Sequence, residues 1–256
     1  MTPYARRGVH GQTVEAIARR VLSGELAGGA TLDLVALQAE LGVSLTALRE
    51  SLKVLAAKGM VDARQKRGTF VRDRSDWNLL DADVLRWQFD SGAGTETGDG
   101  LLRDLGEVRG IVEPAAARLA AERRDAADLA ALDAALAAMS GGGGPADAVA
   151  ADLAFHRALL GAAHNELLTR MEIVLESGLA RRDQLVHSTE HPGDPVPSHR
   201  AVRDAIHDRD PDAAEAAMRA LLDQALLDLD EARRAPTHPT TDGATVGEPA
   251  QKGTTA

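Results

Sequence analysis

The sequence predicts a mainly α-helical protein with a small helix-and-hairpin unit at the N-terminus and an all-α antiparallel helical bundle behind it. Apolar residues recur at spacings of three and four along most of the chain, which is the period of an α-helix. Two short segments near the N-terminus are typical of strands instead. Aromatic residues make up only 2% of the chain, so Leu, Ala, Val and Ile must form the core.

The N-terminal unit is expected to follow a mobile arm of residues 1–11. Gly42 suits the left-handed position that ends a helix, and Ser44 suits the cap that begins the next one. The order of elements is that of a winged helix-turn-helix over residues 12–73. Its predicted elements are helices over Gln12–Leu26, Leu34–Leu41 and Ser44–Lys58, then strands Met60–Arg64 and Gly68–Val71 around the basic turn Gln65–Arg67.

The rest of the chain is predicted as a connector over residues 74–100, helices over 101–235 and a disordered tail over 236–256. Residues 91–100 are polar and Gly-rich, which indicates a loop or linker. Asn165 and Ser198 are good helix caps, and Pro211 suits the first position of the last helix. Loops are expected at Gly141–Gly144 and His191–Pro197.

Charge is divided unevenly between the two parts. The chain carries a net charge of −10, but residues 1–75 hold 12 Lys and Arg against 7 Asp and Glu, a local charge of +5. This favours an anionic partner for the N-terminal part alone. The absence of cysteine excludes disulfides, thiolate nucleophiles and Cys-ligated zinc. Without a long apolar run or a signal-like N-terminus, we expect a soluble, cytoplasmic protein.

The predicted recognition helix carries candidate DNA contacts at its N-terminal turn, where a helix-turn-helix reaches base edges. The planar fork of Arg49 matches the two acceptors of guanine, so this residue is the best candidate base reader. Lysine and arginine at the wing suit phosphates, which require charge rather than shape. A solvated surface role is the alternative for each residue taken alone. The candidate DNA-binding set is Ser44, Thr46, Arg49, Lys53, Lys66, Arg67 and Gly68.

Residues 12–71 resemble the DNA-binding domain of GntR-type bacterial transcription regulators. The matching residues are Leu41–Ser44, Thr46, Leu48–Glu50, Leu52, Leu55, Gly59–Val61 and Gly68–Val71. The family usually has Arg after the serine and Pro after the threonine, where this chain has Leu45 and Ala47. Its Leu-Pro-Ser-Glu segment is Leu32–Val35 here, with Asp33 in place of Pro. These departures affect the half-site preference that the resemblance implies.

Asp152 and His156 stand four residues apart, on one face of a predicted helix. They could form a structural hydrogen bond, or they could be part of a site for a divalent metal such as zinc. Residues 101–234 resemble the FCD effector domain of the FadR branch of the same family. The matching pieces are Glu107–Arg109, Val112–Pro114, Ala120–Ala121, Asp152–His156, Leu159, Asn165, His199 and Ala205–Ile206.

The resemblance implies that Asp152, His156 and His199 are three ligands of a divalent metal. The fourth ligand of the family is usually a histidine, but this chain has Leu221 there, so metal binding is left open. Arg109 lies in an apolar helical stripe, where it could pair with Glu113 one turn later or grip the carboxylate of a small organic acid. The candidate effector-binding residues are Arg109, Glu113 and Asn165, although Asn165 also suits a cap.

Residues 77–87 are similar to the repressors of galactonate and related sugar-acid catabolic operons within this branch. We therefore expect a homodimeric transcription regulator, foremost a repressor, of a sugar-acid catabolic operon. It is expected to bind double-stranded operator DNA, to be released by a small carboxylate such as galactonate or a related aldonate, and to have no enzymatic activity or membrane partner. The alternatives are a metal-dependent hydrolase that uses Asp152, His156 and His199, or a helical scaffold without a ligand. Whether the regulator represses or activates is not determined by these residues.

Overall fold

A computed structural model describes residues 8–92, 95–141, 143–186 and 194–234 of the chain. The predicted tail and residues 1–7 of the predicted arm lie outside the described residues. Its elements are α1 (Val9–Leu22), α2 (Leu34–Leu41), α3 (Leu45–Ala57), β1 (Val61–Arg64), β2 (Gly68–Val71), a 3-10 turn (Arg74–Asp76), α4 (Ala82–Ser91), α5 (Glu96–Arg123), α6 (Ala126–Met139), α7 (Pro145–Ala162), α8 (Glu166–Arg170), α9 (Glu172–Val186), α10 (Val196–His207) and α11 (Pro211–Arg234). The mainly α-helical fold class is confirmed.

The first three helices pack into one core that positions α3. Ser44 begins α3 as its N-cap and accepts a hydrogen bond from the backbone N–H of Ala47. Asp33 caps α2 in the same way, with bonds from two backbone amides, and Gly42 ends α2 with a φ of 63°. The predicted bounds of α1 were wrong, since it runs from Val9 to Leu22 and includes part of the expected arm. The buried core residues of α1 and α3 are Val14, Ile17, Ala18, Val21, Leu48, Leu52 and Leu55.

The two strands form an antiparallel hairpin around the turn that the sequence predicted. Val61 pairs with Val71 at the open end of the hairpin, and Arg64 pairs with Gly68 next to the turn. Lys66 and Gly68 adopt positive φ values of 68° and 79°, which the tight turn requires. The turn therefore projects as a basic wing tip beside the helices.

The segment that the sequence predicted as a connector, residues 74–100, contains the helix α4. Val84 and Trp87 pack into the N-terminal core. Leu85 and Phe89, on the other side of α4, pack against α5 and α9 of the bundle. This helix therefore contributes to both cores.

A buried ion pair holds the start of α4 against the N-terminal unit. Nζ of Lys58, which follows α3, lies 2.7 Å from Oδ1 of Asp81 and 2.8 Å from Oδ2 of Asp83. Asp81 also caps α4 by accepting from the N–H groups of Asp83 and Val84. Lys58 thus bridges two carboxylates and fixes the first turn of the helix.

Helix α5 begins within the segment that the sequence predicted as a loop over residues 91–100. Oγ1 of Thr95 accepts a hydrogen bond from the N–H of Gly98, so the helix starts at Glu96. Gly92 and Gly98 lie so close that a Cβ on Gly98 would stand 2.0 Å from the carbonyl oxygen of Gly92. The glycines allow α4 and α5 to approach each other closely. The glycine-rich composition therefore indicated a loop where the structure has the end of one helix and the start of the next.

The bundle consists of α5 to α11, with α5 packed on α11 and α6 packed on α7. Its core is built around Phe155 and small or aliphatic side chains. Asn165 caps α8 and Pro211 begins α11, as predicted. The prediction that Ser198 caps α10 was wrong: the helix begins at Val196, and Oγ of Ser198 donates to the carbonyl of Pro195. Among the described residues, no helix combines the length and apolar character needed to cross a membrane.

Candidate functional site

The exposed side of α3 presents Thr46 and Arg49 next to its N-terminus. Ser44 uses its hydroxyl oxygen to cap the helix, 3.2 Å from the N–H of Ala47. Lys53, one turn after Arg49, forms an exposed ion pair with Glu50 at 2.7 Å. The N-terminal end of α3 therefore exposes one arginine and one threonine hydroxyl to solvent.

The wing tip places its basic residues differently. Arg67 stacks on Phe70, with its guanidinium carbon 3.6 Å from the ring centroid, and donates from Nη2 to the carbonyl of Gly29 at 2.8 Å. Lys66 is exposed at the tip, and Gly68 contributes backbone only. Arg67 thus ties the wing to the loop between α1 and α2, while its side chain stays exposed.

A second group of polar residues lies inside the bundle and is almost fully buried. It contains Arg109 and Glu113 of α5, Asp152 and His156 of α7, and His199 of α10. Arg109 donates from Nε to Oε1 of Glu113 at 2.7 Å, and from Nη2 to Oε2 at 3.3 Å. The ion pair that the sequence offered as one alternative for Arg109 is therefore present.

His156 joins this pair from the neighbouring helix. Its Nδ1 lies 2.8 Å from Oε2 of Glu113, and its Nε2 accepts from Nη2 of Arg109 at 3.0 Å. This arrangement assigns the proton of neutral His156 to Nδ1. Burial pushes the pKa of Glu113 up, but the charge of Arg109 and the contact with His156 outweigh it and hold the pKa at about 2. Glu113 is therefore an anion inside the bundle.

His199 directs its Nε2 toward Asp152. Its Nδ1 donates to the carbonyl of Pro195 at 2.8 Å, and its Nε2 lies 3.0 Å from Oδ1 of Asp152. A buried ring nitrogen and a carboxylate oxygen this close need a proton or a cation between them. Burial raises the pKa of Asp152, but His156 and His199 lower it well below its usual range.

The donor set suits a divalent metal such as Zn²⁺. Ligand atoms of Asp152, His156 and His199 all lie within 4.8 Å of one another, and Oδ2 of Asp152 and Nε2 of His199 are buried without a hydrogen-bond partner. Histidines that bind a metal usually donate a hydrogen bond from their other ring nitrogen, which fixes the orientation of the ring, and His199 makes such a bond to the carbonyl of Pro195. A metal and the Arg109 guanidinium would compete for Nε2 of His156. Leu221, which stands where the family usually has the fourth ligand, packs in the bundle core and has no ligand atom to offer.

A cavity of about 70 Å³ opens beside Arg109, between α5, α9 and α11. Its polar lining side chains are Arg109, Arg182 and Asp223, and the other walls are mostly leucine. Arg182 also contributes to the lowered pKa of Asp152 by its charge. Sequence reasoning did not single out Arg182, because nothing in the pattern distinguishes it from Arg181. Neither Glu113 nor Asn165 lines this cavity, and the side-chain oxygen of Asn165 accepts from Leu167 and Leu168 as the cap of α8.

Comparison with known proteins gives two family matches. Residues 10–71 match the family described as "Bacterial regulatory proteins, gntR family", and residues 104–224 match the "FCD domain". The chain is 34% identical to the galactonate operon transcriptional repressor of Escherichia coli K12 over 206 residues, which cover 78% of this chain and 88% of that protein.

It is also 28% identical to a probable D-xylose utilization operon transcriptional repressor of Paenarthrobacter nicotinovorans, with 83% of this chain and 85% of that protein covered. A solved structure shares the fold with a TM-score of 0.62 at 17% identity, and the match covers 89% of this chain and 99% of that one. Its description reads "Lar controls the expression of the Listeria monocytogenes agr system and mediates virulence".

Proposed function

The chain belongs to the GntR family of bacterial regulatory proteins, in the FadR-type branch that carries an FCD domain, and from this premise we propose that it represses a sugar-acid catabolic operon. Members of the family are DNA-binding transcription regulators, and the relatives are named as regulators rather than enzymes. In our proposal the protein leaves its operator when a small carboxylate, such as galactonate or a related aldonate, binds the bundle.

DNA binding is assigned to a homodimer that places two copies of α3 in successive major grooves. Arg49 reads a guanine from the N-terminal half of α3, with Thr46 beside it. Ser44, Lys53, Lys66, Arg67 and the backbone of Gly68 complete the candidate DNA-facing set. Because Arg67 is stacked on Phe70 and Lys53 is paired with Glu50, Lys66 is the best candidate for a direct phosphate contact.

Effector binding is assigned to the cavity beside the buried cluster. This assignment rests on one observation: Arg109 and Arg182 line the same cavity. Two guanidinium groups suit the binding of a carboxylate. Asp152, His156 and His199 would hold a divalent cation, whose positive charge would attract effector oxygens. Glu113 acts in this arrangement by holding Arg109, not by contacting the effector. An effector role of Asn165 stays a prediction.

The signal is proposed to travel through α9 and α4. Arg182 lies in α9, and α9 packs on α4, which shares its apolar residues with the DNA-binding core. An effector that binds one arrangement of these helices more tightly than the other shifts the dimer toward that arrangement. The distance between the two recognition helices then changes, and the operator no longer matches it.

A mobility-shift assay on the DNA upstream of the protein's own gene tests this function. We expect a retarded complex that hexonates release at millimolar concentration, whereas the matching hexoses, which lack the carboxylate, leave it intact. Because the cavity walls are mostly leucine, aliphatic hydroxy acids belong in the same panel. A complex that no acid releases, together with an unchanged melting temperature, would favour the scaffold without a ligand. Turnover of an ester or lactone panel that is lost in His156→Ala would favour the hydrolase.

A further inference from the structure

Leu45 is an exposed apolar side chain at the start of the recognition helix. It is the first residue of α3, directly after the cap Ser44, and 37% of its surface is exposed. The next residues on the leucine stripe of α3, Leu48 and Leu52, are buried in the core at 0% and 6% exposure. The row of leucines therefore reaches the protein surface at the N-terminal end of α3.

The neighbours of Leu45 show which way this end of α3 is directed. Thr46 follows it, and Arg49 stands one turn later; both are exposed. Leu45 and Arg49 are four residues apart, so their side chains are neighbours on the helix surface. A leucine beside the arginine that reads bases would enter the same groove.

The chemistry of the major groove restricts what Leu45 can recognise. A leucine side chain cannot donate to a phosphate or to a base acceptor, and it would leave such groups without a partner. The apolar group that base edges present in the major groove is the 5-methyl of thymine. Burial of one methyl-sized group is favourable by about 0.8 kcal/mol, which corresponds to about a fourfold change in affinity.

We propose that Leu45 packs against the 5-methyl group of a thymine and so selects a T·A pair in each half-site, beside the pair that Arg49 reads. This specificity rests on the proposed DNA-binding function and deepens it. It does not depend on the effector or on the metal.

The test removes only the methyl group. A binding site is first selected from random duplex DNA by the full-length protein, so that no operator has to be known. Each thymine of the site is then replaced by deoxyuridine, which pairs identically but lacks the methyl. We expect one thymine per half-site at which the replacement weakens binding about fourfold, or about 15-fold when both half-sites are changed. Other thymines should have little effect.

Three variants separate this contact from a loss of structure. Leu45→Ala should bind the thymine site about as weakly as the wild type binds the deoxyuridine site, and should no longer respond to the replacement. Leu45→Arg should shift the selected base at that position toward guanine. Leu227→Ala removes an exposed leucine of α11 and should keep the full thymine dependence. Circular-dichroism melting checks the folding of all three.

The outcomes distinguish this inference from the proposed function. If Leu45→Ala responds to deoxyuridine at every position as the wild type does, or if no thymine matters, the contact with Leu45 is refuted while DNA binding stands. If binding to the selected DNA depends on the thymine methyl group but sugar acids do not release the complex, the Leu45 contact is supported and the proposed effector is refuted. A protein that enriches no sequence refutes both.

Discussion

Glu113 lies one turn after Arg109 in α5, and its carboxylate accepts from Nε of that arginine while also lying 2.8 Å from Nδ1 of His156. All three side chains are buried, with Glu113 fully so. The arginine that is proposed to hold the effector is therefore also the counterion of a buried carboxylate. Its structural and functional roles have to be separated by a matched pair of variants.

We expect Arg109→Met to lower the free energy of unfolding by about 3–5 kcal/mol, because it leaves the charge of Glu113 buried without its main partner. The double variant Arg109→Met/Glu113→Gln removes both charges and should regain most of that loss. Urea unfolding followed by circular dichroism measures both. If the single and double variants lose the same free energy of unfolding, the unpaired charge of Glu113 is not the cause of the loss.

The double variant also tests the effector site. We expect Arg109→Met/Glu113→Gln to bind operator DNA normally and to stay bound at hexonate concentrations that release the wild type, since one of the two guanidinium groups of the cavity is gone. A titration in the mobility-shift assay gives the release curve. Normal release by hexonate would remove Arg109 from the effector site.

Arg49→Ala should weaken specific operator binding about 5- to 150-fold, the range for loss of one good base contact. The variant should remain folded and keep its oligomeric state, because Arg49 is exposed. Arg219→Ala removes an exposed arginine of α11 and serves as the control. Fluorescence anisotropy with a labelled duplex gives the two affinities, and an operator affinity of Arg49→Ala within twofold of the control would refute the base contact.

The purified protein should bind Zn²⁺ or a similar ion through the buried group of Asp152, His156 and His199, and binding should raise the melting temperature. Asp152→Asn should abolish that rise. Asp125→Asn is the matched control, since Asp125, Asp128 and His164 form a second acidic and histidine group at the surface. Metal analysis after dialysis counts the ions, and an undiminished count in Asp152→Asn would place the metal elsewhere.

Lys58→Met should lower the free energy of unfolding by about 3–5 kcal/mol, because it removes the buried cation that contacts both Asp81 and Asp83 and leaves Asp83 with the longer contact to Arg86, at 3.3 Å. Lys66→Met, at the exposed wing tip, should change stability by no more than about 0.5 kcal/mol. Thermal unfolding compares the two variants. Similar stabilities would show that the buried lysine is dispensable.

The DNA-binding unit was predictable because its local signals agree. Gly42 and Ser44 each fix a helix boundary through backbone geometry or capping, and neither depends on distant residues. The spacing of four residues within one helix also allowed the ion pair of Arg109 and Glu113 to be predicted as one alternative. That His156 would join them depends on how α5 and α7 pack, and spacing within one helix cannot give that.

Two errors have physical reasons. Residues 91–100 have the composition of a loop, but their glycines serve the close contact between α4 and α5, and Thr95 begins a helix among them. Ser198 has the chemistry of a cap, but Pro197 is tolerated in the first turn, so α10 could begin earlier, at Val196. In both cases tertiary packing and backbone constraints outweighed the residue preference.

Helix α4 makes the two halves of the molecule depend on each other for solubility. A fragment cut after residue 73 would lose Val84 and Trp87 from its core, and the complementary fragment would carry those two residues exposed beside Leu85 and Phe89. The intact chain should therefore unfold in one cooperative calorimetric transition, in which the DNA-binding domain and the FCD domain share a single melting temperature.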